Sequence, residues 1–423
     1  MSRRIESRRP VSARLSSRLL PCLLAVAAAG MLLTGMNLSG ITLAEERPAP
    51  PSLPEPVQPA APVVNGTPAA DAPRIQLAIL LDTSGSMQGL INQARTQLWK
   101  IVNELATTRQ DGKLPRLEVA LYEYGKSTIP QAEGYLRQIA PLTQDLDLIS
   151  AELFALTTNG GEEYCGQVIG AATTGLQWTT GERDLRLIFI AGNEGFDQGS
   201  VDYHETCKAA IEKGITVSTI YCGTEGDAIS AGWKEGARLA DGSYISIDQN
   251  QAVAAIETPF DQELAKLSSS LNGTYVAFGR KAERGRALAR QSAQDRLSLE
   301  AAPAAAAERA KFKASGQYRA SRDLVDAVKN GTVELKKLDR KELPEELQKL
   351  DDKELSATLK KKETERAALQ KQIQELSQKR DSFLAAARAK EAEKTGKETF
   401  DSALLRAVRE QATRQGYKVP AQP

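Results

Sequence analysis

Short apolar runs separated by helical segments fill residues 75–279. Four near-continuous apolar or β-branched runs have the pattern of strands buried on both faces of a sheet, at residues 75–81, 117–124, 185–191 and 215–222. A more polar run at 135–142 contains Pro141 and predicts an edge strand, and 244–247 predicts a last short strand. Residues 90–105 place apolar side chains at helical spacing. The alternation predicts a doubly wound α/β domain, residues 74–280, with a mostly parallel sheet.

The pattern changes after residue 280, where the sequence becomes charged and nearly free of proline. Residues 281–318 are predicted to form a linker or helix, most easily cleaved at the alanine-rich patch 301–307, and residues 319–415 a charged, coiled-coil-like helical region before a tail at 416–423. Within this region an apolar seam recurs at helical spacing and consists of Leu355, Leu359, Leu369, Ile373, Leu376 and Phe383. Three charged residues interrupt the seam: Lys362, Arg366 and Arg380. Antiparallel packing of helices is therefore favoured over a long two-chain coiled coil. We expect these helices to form independently of the sheet.

The sequence opens on an arginine-rich stretch followed by an apolar run. Residues 1–44 are predicted to be a signal peptide or an N-terminal membrane anchor, since the apolar run from Leu19 to Met36 suits either. Cleavage before Glu45 would release the chain, whereas retention would keep it anchored. Residues 45–73 are rich in proline and alanine and predict an extended spacer. Both alternatives imply export to the periplasm or cell envelope, with membrane contact only through this segment if it stays uncleaved.

Charge and cysteine content narrow the classes of function. The formal net charge is +1, so broad electrostatic attraction to nucleic acid is not expected. Export would permit a disulfide among Cys165, Cys207 and Cys222, which all fall near the carboxyl side of the predicted sheet. We predict one such bond, with three buried free thiols as the alternative.

The stretch Asp82-Thr83-Ser84-Gly85-Ser86 lies between a predicted buried strand and an amphipathic helix. In a doubly wound sheet this is the carboxyl end of a strand, where ligand crevices form. One carboxylate and two hydroxyls at alternate positions are hard oxygen donors, which suit Mg²⁺, Mn²⁺ or Ca²⁺. The alternative is that these residues cap the following helix. A cap needs one such residue, whereas this loop supplies three, so the pattern favours a metal site.

This Asp-x-Ser-x-Ser loop between strand and helix resembles the metal-ion-dependent adhesion site of von Willebrand factor A-type domains, and the likeness spans about residues 75–279. The resemblance implies a six-stranded sheet with one antiparallel edge strand, flanked by helices. It also implies that Ser84 and Ser86 bind the ion directly and that Asp82 binds through a water molecule or a hydrogen bond.

Two further ligand positions of that family are occupied differently in this chain. The family has a threonine after Gly-Gly, and here Glu162 falls at or beside that position. The family's second aspartate corresponds to Gly192, with Asn193 and Glu194 next to it. We hypothesise that the carboxylate of Glu162 compensates for the missing aspartate and completes the site, with Asn193 or Glu194 as the alternative ligands.

Several phrases also resemble a bacterial subgroup of exported von Willebrand factor A-type proteins, at residues 161–166, 190–194, 219–223, 239–244 and 409–412. We expect a metal-dependent, adhesion- or scaffold-type module whose bound ion takes its last ligand from an acidic residue of an unknown protein partner. A metal-free scaffold that acts through its helical C-terminal region is the alternative. We do not expect an enzyme, because the chain has no nucleophile elbow, phosphate loop or zinc-binding His-Glu-x-x-His helix, and its single histidine is His204.

Overall fold

The computed structural model describes residues 72–247, 256–315, 317–318, 320, 322–395 and 399–420. The predicted leader and nearly all of the predicted spacer lie outside these residues. In the part of the chain that is described, no helix combines the length and apolar character needed to cross a membrane.

One sheet forms the centre of residues 74–280, which we call the sheet domain. Its strands are β1 (Arg74–Asp82), β2 (Arg116–Tyr124), β3 (Leu136–Thr143), β4 (Leu185–Gly192), β5 (Thr216–Tyr221) and β6 (Asp241–Ser246). The order is β3-β2-β1-β4-β5-β6, and all neighbours are parallel except β2 with β3. The predicted mostly parallel, six-stranded sheet is confirmed, and the more polar edge strand is the antiparallel β3.

β1 lies at the middle of the sheet and is buried on both faces. Successive side chains of a strand point to opposite faces. Ile75, Leu77 and Leu81 accordingly pack in one apolar cluster, and Ala78 and Leu80 in another on the opposite face. The near-continuous apolar sequence is what such a strand requires.

Helices cover both faces of the sheet, at α1 (Gln88–Thr107), α2 (Leu146–Ala155), α3 (Cys165–Gly175), α4 (Tyr203–Glu212), α5 (Ser230–Leu239) and α6 (Asp261–Asn272). One face carries α1, α2 and α6, and the other carries α3, α4 and α5. Each face thus has its own apolar layer, as a doubly wound fold requires.

The described residues between 281 and 420 form what we call the C-terminal helical layer. Its helices are α7 (Lys281–Ala301), α8 (Pro303–Lys313), α9 (Leu324–Lys329), α10 (Glu345–Gln348), α11 (Asp352–Thr395) and α12 (Phe400–Arg414). The predicted helical character is confirmed. These helices pack against the sheet domain, since Phe312 of α8 and Val408 of α12 share one apolar cluster with Trp99 of α1 and with residues of β1. That residues 335–412 form helices without the sheet stays a prediction.

The alanine-rich patch is part of this shared core. Ala304, Ala305, Ala306 and Ala307 are at most 5% exposed, since α8 packs against both α1 and α6. Alanine has no long side chain, so it lets helices approach closely. The patch is therefore not the exposed, cleavable linker that its composition suggested.

Three buried arginines connect the helices, and each binds two acids: Arg309 binds Asp147 and Asp295, Arg366 binds Asp323 and Asp326, and Arg380 binds Asp261 and Glu308. The nitrogen–oxygen distances are 2.5 to 2.7 Å, and none of the three arginine side chains is more than 5% exposed. Arg366 and Arg380 are two of the charged residues that interrupt the apolar seam of α11, and their burial explains those interruptions.

The chain after α12 returns to the amino ends of the strands. The hydroxyl of Tyr417 donates to the carbonyl oxygen of Arg74, the first residue of β1, at 2.9 Å. Lys418 exchanges two backbone hydrogen bonds with Arg109, of 3.0 and 2.7 Å. The beginning of the predicted tail is thus held at the amino ends of the strands, whereas Asp82 lies at the carboxyl end of β1.

Candidate metal centre

The loop after β1 brings its carboxylate and both hydroxyls together. Asp82 and Ser84 are buried, and Ser86 is exposed in a single turn of 3₁₀ helix at Gly85–Met87. Oδ1 of Asp82 accepts a hydrogen bond from the backbone N–H of Ser84 at 2.7 Å. The two serine hydroxyl oxygens are 2.8 Å apart.

The alternative role of this loop as a helix cap finds no support in its hydrogen bonds. Neither Ser84, before the 3₁₀ turn, nor Met87, before α1, makes a side-chain capping bond. The oxygen atoms of Ser84 and Ser86 instead contact each other, and Ser86 Oγ donates to Asn193 Oδ1 at 3.0 Å.

A second loop lies against this one through the backbone. Gly85 N–H donates to the carbonyl oxygen of Gly160 at 2.8 Å, and Asn159 N–H donates to that of Thr83 at 3.0 Å. This pairing carries the turn at residues 160–163 to the carboxyl end of β1. The turn therefore delivers its acids to the neighbourhood of Asp82.

The acid that reaches Asp82 is Glu163 and not Glu162. Glu163 is 3% exposed, whereas Glu162 lies at the surface. Gly125, whose φ is +81°, marks the shared space: a Cβ atom there would lie 2.6 Å from Asp82 Oδ1 and 2.8 Å from Glu163 Cγ. The prediction for Glu162 is corrected by one position, because two adjacent acids in a turn face different surroundings and only the fold decides which is buried.

The residues after β4 make unequal contributions. A Cβ atom at Gly192 would come within 2.5 Å of Tyr124 Oη and 3.2 Å of Asp82 Oδ2, so this position has no room for a carboxylate. Asn193 contacts the loop through Ser86. Glu194 acts by its negative charge, which helps to raise the pKa of both Asp82 and Glu163.

Burial and mutual repulsion disfavour ionisation of the two central acids. Burial, with a smaller contribution from Glu194, raises the pKa of Asp82 to about 7. Burial, followed by the charge of Asp82, raises the pKa of Glu163 to about 8. Hydrogen bonding from Ser84 opposes both shifts. Among the described residues, no positively charged side chain is a main cause of either shift.

Two oxygen atoms of this pair also lack hydrogen-bond donors. Asp82 Oδ2 and Glu163 Oε2 are buried and have no partner among the described residues. Buried polar atoms are normally satisfied, so the arrangement fits a cation that would contact both. All the available ligand atoms are oxygens of carboxylates, hydroxyls and an amide, and this set suits Mg²⁺, Mn²⁺ or Ca²⁺.

The carboxylates alone would not complete such a site. Within the described ranges, no three side chains of His, Cys, Asp or Glu come together as a metal-binding group. The hydroxyls of Ser84 and Ser86 would have to supply further ligands. His204 lies elsewhere, at the exposed start of α4, where its Nδ1 is 2.6 Å from Asp202.

The three described cysteines are free thiols, which corrects the predicted disulfide. Cys165 and Cys207 lie in the apolar layer beneath α3, α4 and α5, and Cys222 packs with Met87 below the DTSGS loop. Burial raises the pKa of each thiol. The thiols therefore serve as small apolar side chains in separate packing positions.

No protein-family model matches the chain, and no curated protein matches it. Solved structures do match. BatB of Bacteroides thetaiotaomicron is 21% identical over 41% of this chain and 90% of its own, with a TM-score of 0.32. The SpRpn10 VWA domain is 14% identical over 41% of this chain and 88% of its own, with a TM-score of 0.33. Proximal thread matrix protein 1 of the mussel byssus, with a zinc-occupied MIDAS motif, is 11% identical over 43% of each chain, with a TM-score of 0.33.

Proposed function

We propose that the sheet domain is a metal-dependent protein-binding module that works after export to the cell envelope. Asp82, Ser84 and Ser86, with Glu163 and Asn193, would hold a divalent cation, Mg²⁺ in the first place or else Mn²⁺ or Ca²⁺. The observation that carries the proposal is a pair of buried carboxyl oxygens, Asp82 Oδ2 and Glu163 Oε2, that have no donor among the described residues and lie beside two hydroxyls.

Charge balance supports a divalent ion. A cation of charge +2 would allow both buried acids to ionise and would cancel their combined charge. The exposed side of the site, at Ser86, is where a further ligand can approach. An acidic side chain of a partner protein has the hard oxygen atom that such an ion prefers.

We propose binding and not catalysis as the role of this site. The side chains assembled here are suited to ligating an ion and anchoring a partner's carboxylate. The two buried acids lie beside each other. The Cys165 thiol nearby has a pKa that is raised by burial, so it is not an activated nucleophile.

The experiment is a titration of the full chain with Mg²⁺, Mn²⁺ and Ca²⁺, followed by thermal unfolding and elemental analysis. At a free ion concentration of about 100 times Kd, binding stabilises the fold by about 2.7 kcal/mol, or a few degrees in Tm. Asp82→Asn and Glu163→Gln should abolish this shift. Glu162→Gln is the matched control, because it removes the neighbouring exposed acid, and it should keep the full shift.

A wild-type chain with no bound ion and no shift would contradict the metal site. The protein would then be best understood as a metal-free scaffold that acts through its C-terminal helical layer. If Glu162→Gln abolished the shift and Glu163→Gln did not, the metal site would stand, but its acidic ligand would be Glu162 and not Glu163.

A further inference from the structure

A groove of about 700 Å³ lies between the last turns of α11 and the length of α12. On α11 it is lined by Ala385, Arg388 and Ala389. On α12 it is lined by one face of the helix, from Ser402 to Arg414. The groove is separate from the DTSGS loop and takes no part in the function proposed above.

The charge of Arg388 at this groove is poorly compensated. It pairs with Asp401, whose Oδ2 lies 3.4 Å from Nη2 of Arg388 but 2.5 Å from Nζ of Lys100. The other oxygen of Asp401 accepts from Gln97 at 2.7 Å. Two cations therefore share one carboxylate oxygen, and the lysine has the shorter contact. Arg388 Nε is buried and has no hydrogen-bond partner among the described residues.

Three further arginines line the groove and are held in place by groups of this chain. Arg406 pairs with Glu410 at 3.2 Å, Arg409 binds both carboxylate oxygens of Glu104, and Arg414 donates to the carbonyl oxygen of Asp241. Glu410 is the single acid among the described residues that line the groove. Arginines thus outnumber acids in the lining, and Arg388 is the one with a buried Nε that has no acceptor among the described residues.

The shape of the groove suits a helix better than a small anion. Ala385 and Ala389 are one turn apart on α11, and such small side chains let a neighbouring backbone approach closely. Leu405 of α12 adds an apolar contact to the same floor. The lining stretch of α12 is about 18 Å long at 1.5 Å per residue, or about three turns, whereas a small anion would occupy only the end at Arg388.

We propose that this groove binds an acidic amphipathic helix of a partner protein. The apolar side of that helix would pack on Ala385, Ala389 and Leu405, and one of its carboxylates would pair with the guanidinium group of Arg388. This is recognition of a helix in a groove, with charge complementarity added by the arginine lining. The protein would thereby have a second binding surface that does not depend on a metal ion.

The test measures peptide binding to the full chain by fluorescence anisotropy, with chelator present throughout. The probes are a synthetic helical peptide of roughly 14 residues, about four turns, with leucines on one side and glutamates beside them, and the same peptide with lysine at every glutamate. The glutamate peptide should bind, more weakly at high salt, and the lysine peptide should not. Arg388→Gln should weaken binding by about tenfold, the loss expected for one charge-assisted hydrogen bond.

Two further variants separate groove binding from general attraction. Lys390→Gln makes the same charge change on the exposed surface of α11 outside the groove lining, and it should weaken binding by less than about twofold. Ala389→Trp leaves the charge unchanged, fills the groove at an exposed position and should abolish binding. Circular dichroism melting confirms that each variant is folded.

Equal binding of the two peptides, or equal losses in Arg388→Gln and Lys390→Gln, would overturn the proposal. The proposal would also fail if the glutamate peptide did not bind in chelator and bound once Mg²⁺ replaced the chelator, since that binding would belong to the DTSGS loop. If sedimentation shows a dimer of the full chain that Ala389→Trp dissociates, the occupant is a second copy of this chain and not a different protein.

Discussion

Buried acids lie in two regions of this protein and meet opposite surroundings. Beside the DTSGS loop, burial and the charge of Asp82 raise the pKa of Glu163 to about 8. In the C-terminal helical layer, burial alone would raise the pKa of Glu308, but Arg380, Lys311 and Lys100 lower it to about 2. Burial by itself therefore does not decide the charge of an acid; the counter-charge supplied by the rest of the chain does.

The difference separates a structural role from a ligand-binding role. Acids such as Asp261 and Glu308 have arginine partners at 2.6 Å and join helices to one another. Asp82 and Glu163 each keep one buried oxygen without a donor among the described residues. The first arrangement is complete within the chain, and the second requires a proton or a cation from solution.

The largest effect is expected from breaking a completed pair. Arg380→Ala should lower the free energy of unfolding by about 3–5 kcal/mol, because it removes the ion-pair partner that the buried acids Asp261 and Glu308 share. Urea denaturation measures it. Arg296→Ala, which removes a pair between exposed side chains on α7, is the control and should have almost no effect. Equal losses in the two variants would mean that the buried pairs add no more than surface pairs do.

The acids beside the loop should make the metal-free protein less stable as the pH rises. Their pKa values, about 7 for Asp82 and about 8 for Glu163, exceed the ordinary values of 3.8 and 4.5, so the folded state holds more protons than the unfolded state between these limits. Stability in chelator should fall on the order of a few kcal/mol from about pH 5 to about pH 9.

Two controls sharpen this pH prediction. The double variant Asp82→Asn with Glu163→Gln should lose most of the slope, since neither side chain then titrates. Saturating Mg²⁺ should also reduce it, because the ion takes the place of the protons. A slope that is unchanged in the double variant would show that other groups cause the pH dependence.

Gly192→Ala tests whether the chain could supply the missing charge from the end of β4. The new Cβ atom would lie 2.5 Å from Tyr124 Oη and 3.0 Å from the Trp233 ring, so the variant should lose about 1–3 kcal/mol of stability. Thermal unfolding in chelator measures the loss. Gly226→Ala is a control for the loss of glycine itself, since its φ of +88° is strained for alanine but open space surrounds it. A fully stable Gly192→Ala would mean that there is room here for a side chain.

The smallest effect should come from neutralising Glu163 alone. In chelator near pH 5, Glu163→Gln should change stability by no more than about 1 kcal/mol, because the folded state already holds Glu163 protonated at this pH and glutamine keeps the shape of the neutral side chain. Urea denaturation of Glu163→Gln beside Arg380→Ala gives the direct contrast. A loss as large as that in Arg380→Ala would show that Glu163 has a stabilising partner.

The sheet could be predicted from sequence because its information is local. Each buried strand is a continuous apolar run. Asp82 ends β1 and Ser84 and Ser86 lie in the loop that follows, so this one loop is enough to bring the three side chains together. Glu163 could not be distinguished from Glu162, since their contrasting burial depends on how the turn at residues 160–163 pairs with the DTSGS loop.

The helical layer shows the opposite limit. Helical spacing predicted its secondary structure, but its packing depends on partners far away in the sequence. Arg380 reads as a break in an apolar seam until Asp261, 119 positions earlier, is placed beside it. The alanine patch reads as a linker until α1 and α6 are placed around it. Residue type alone cannot reveal such long-range contacts.

The hydrogen bond between Tyr417 and Arg74 has a practical consequence for how this protein can be handled. It places both ends of the described chain at one edge of the sheet, while Asp82 ends β1 roughly 26 Å away, at about 3.3 Å per residue. A sensor chip, bead or fluorescent fusion joined before residue 74 or after residue 420 would therefore lie on the side of the sheet domain opposite the DTSGS loop. The DTSGS loop would face the solution with either attachment. Binding of the same partner could therefore be measured with the protein attached before residue 74 or after residue 420.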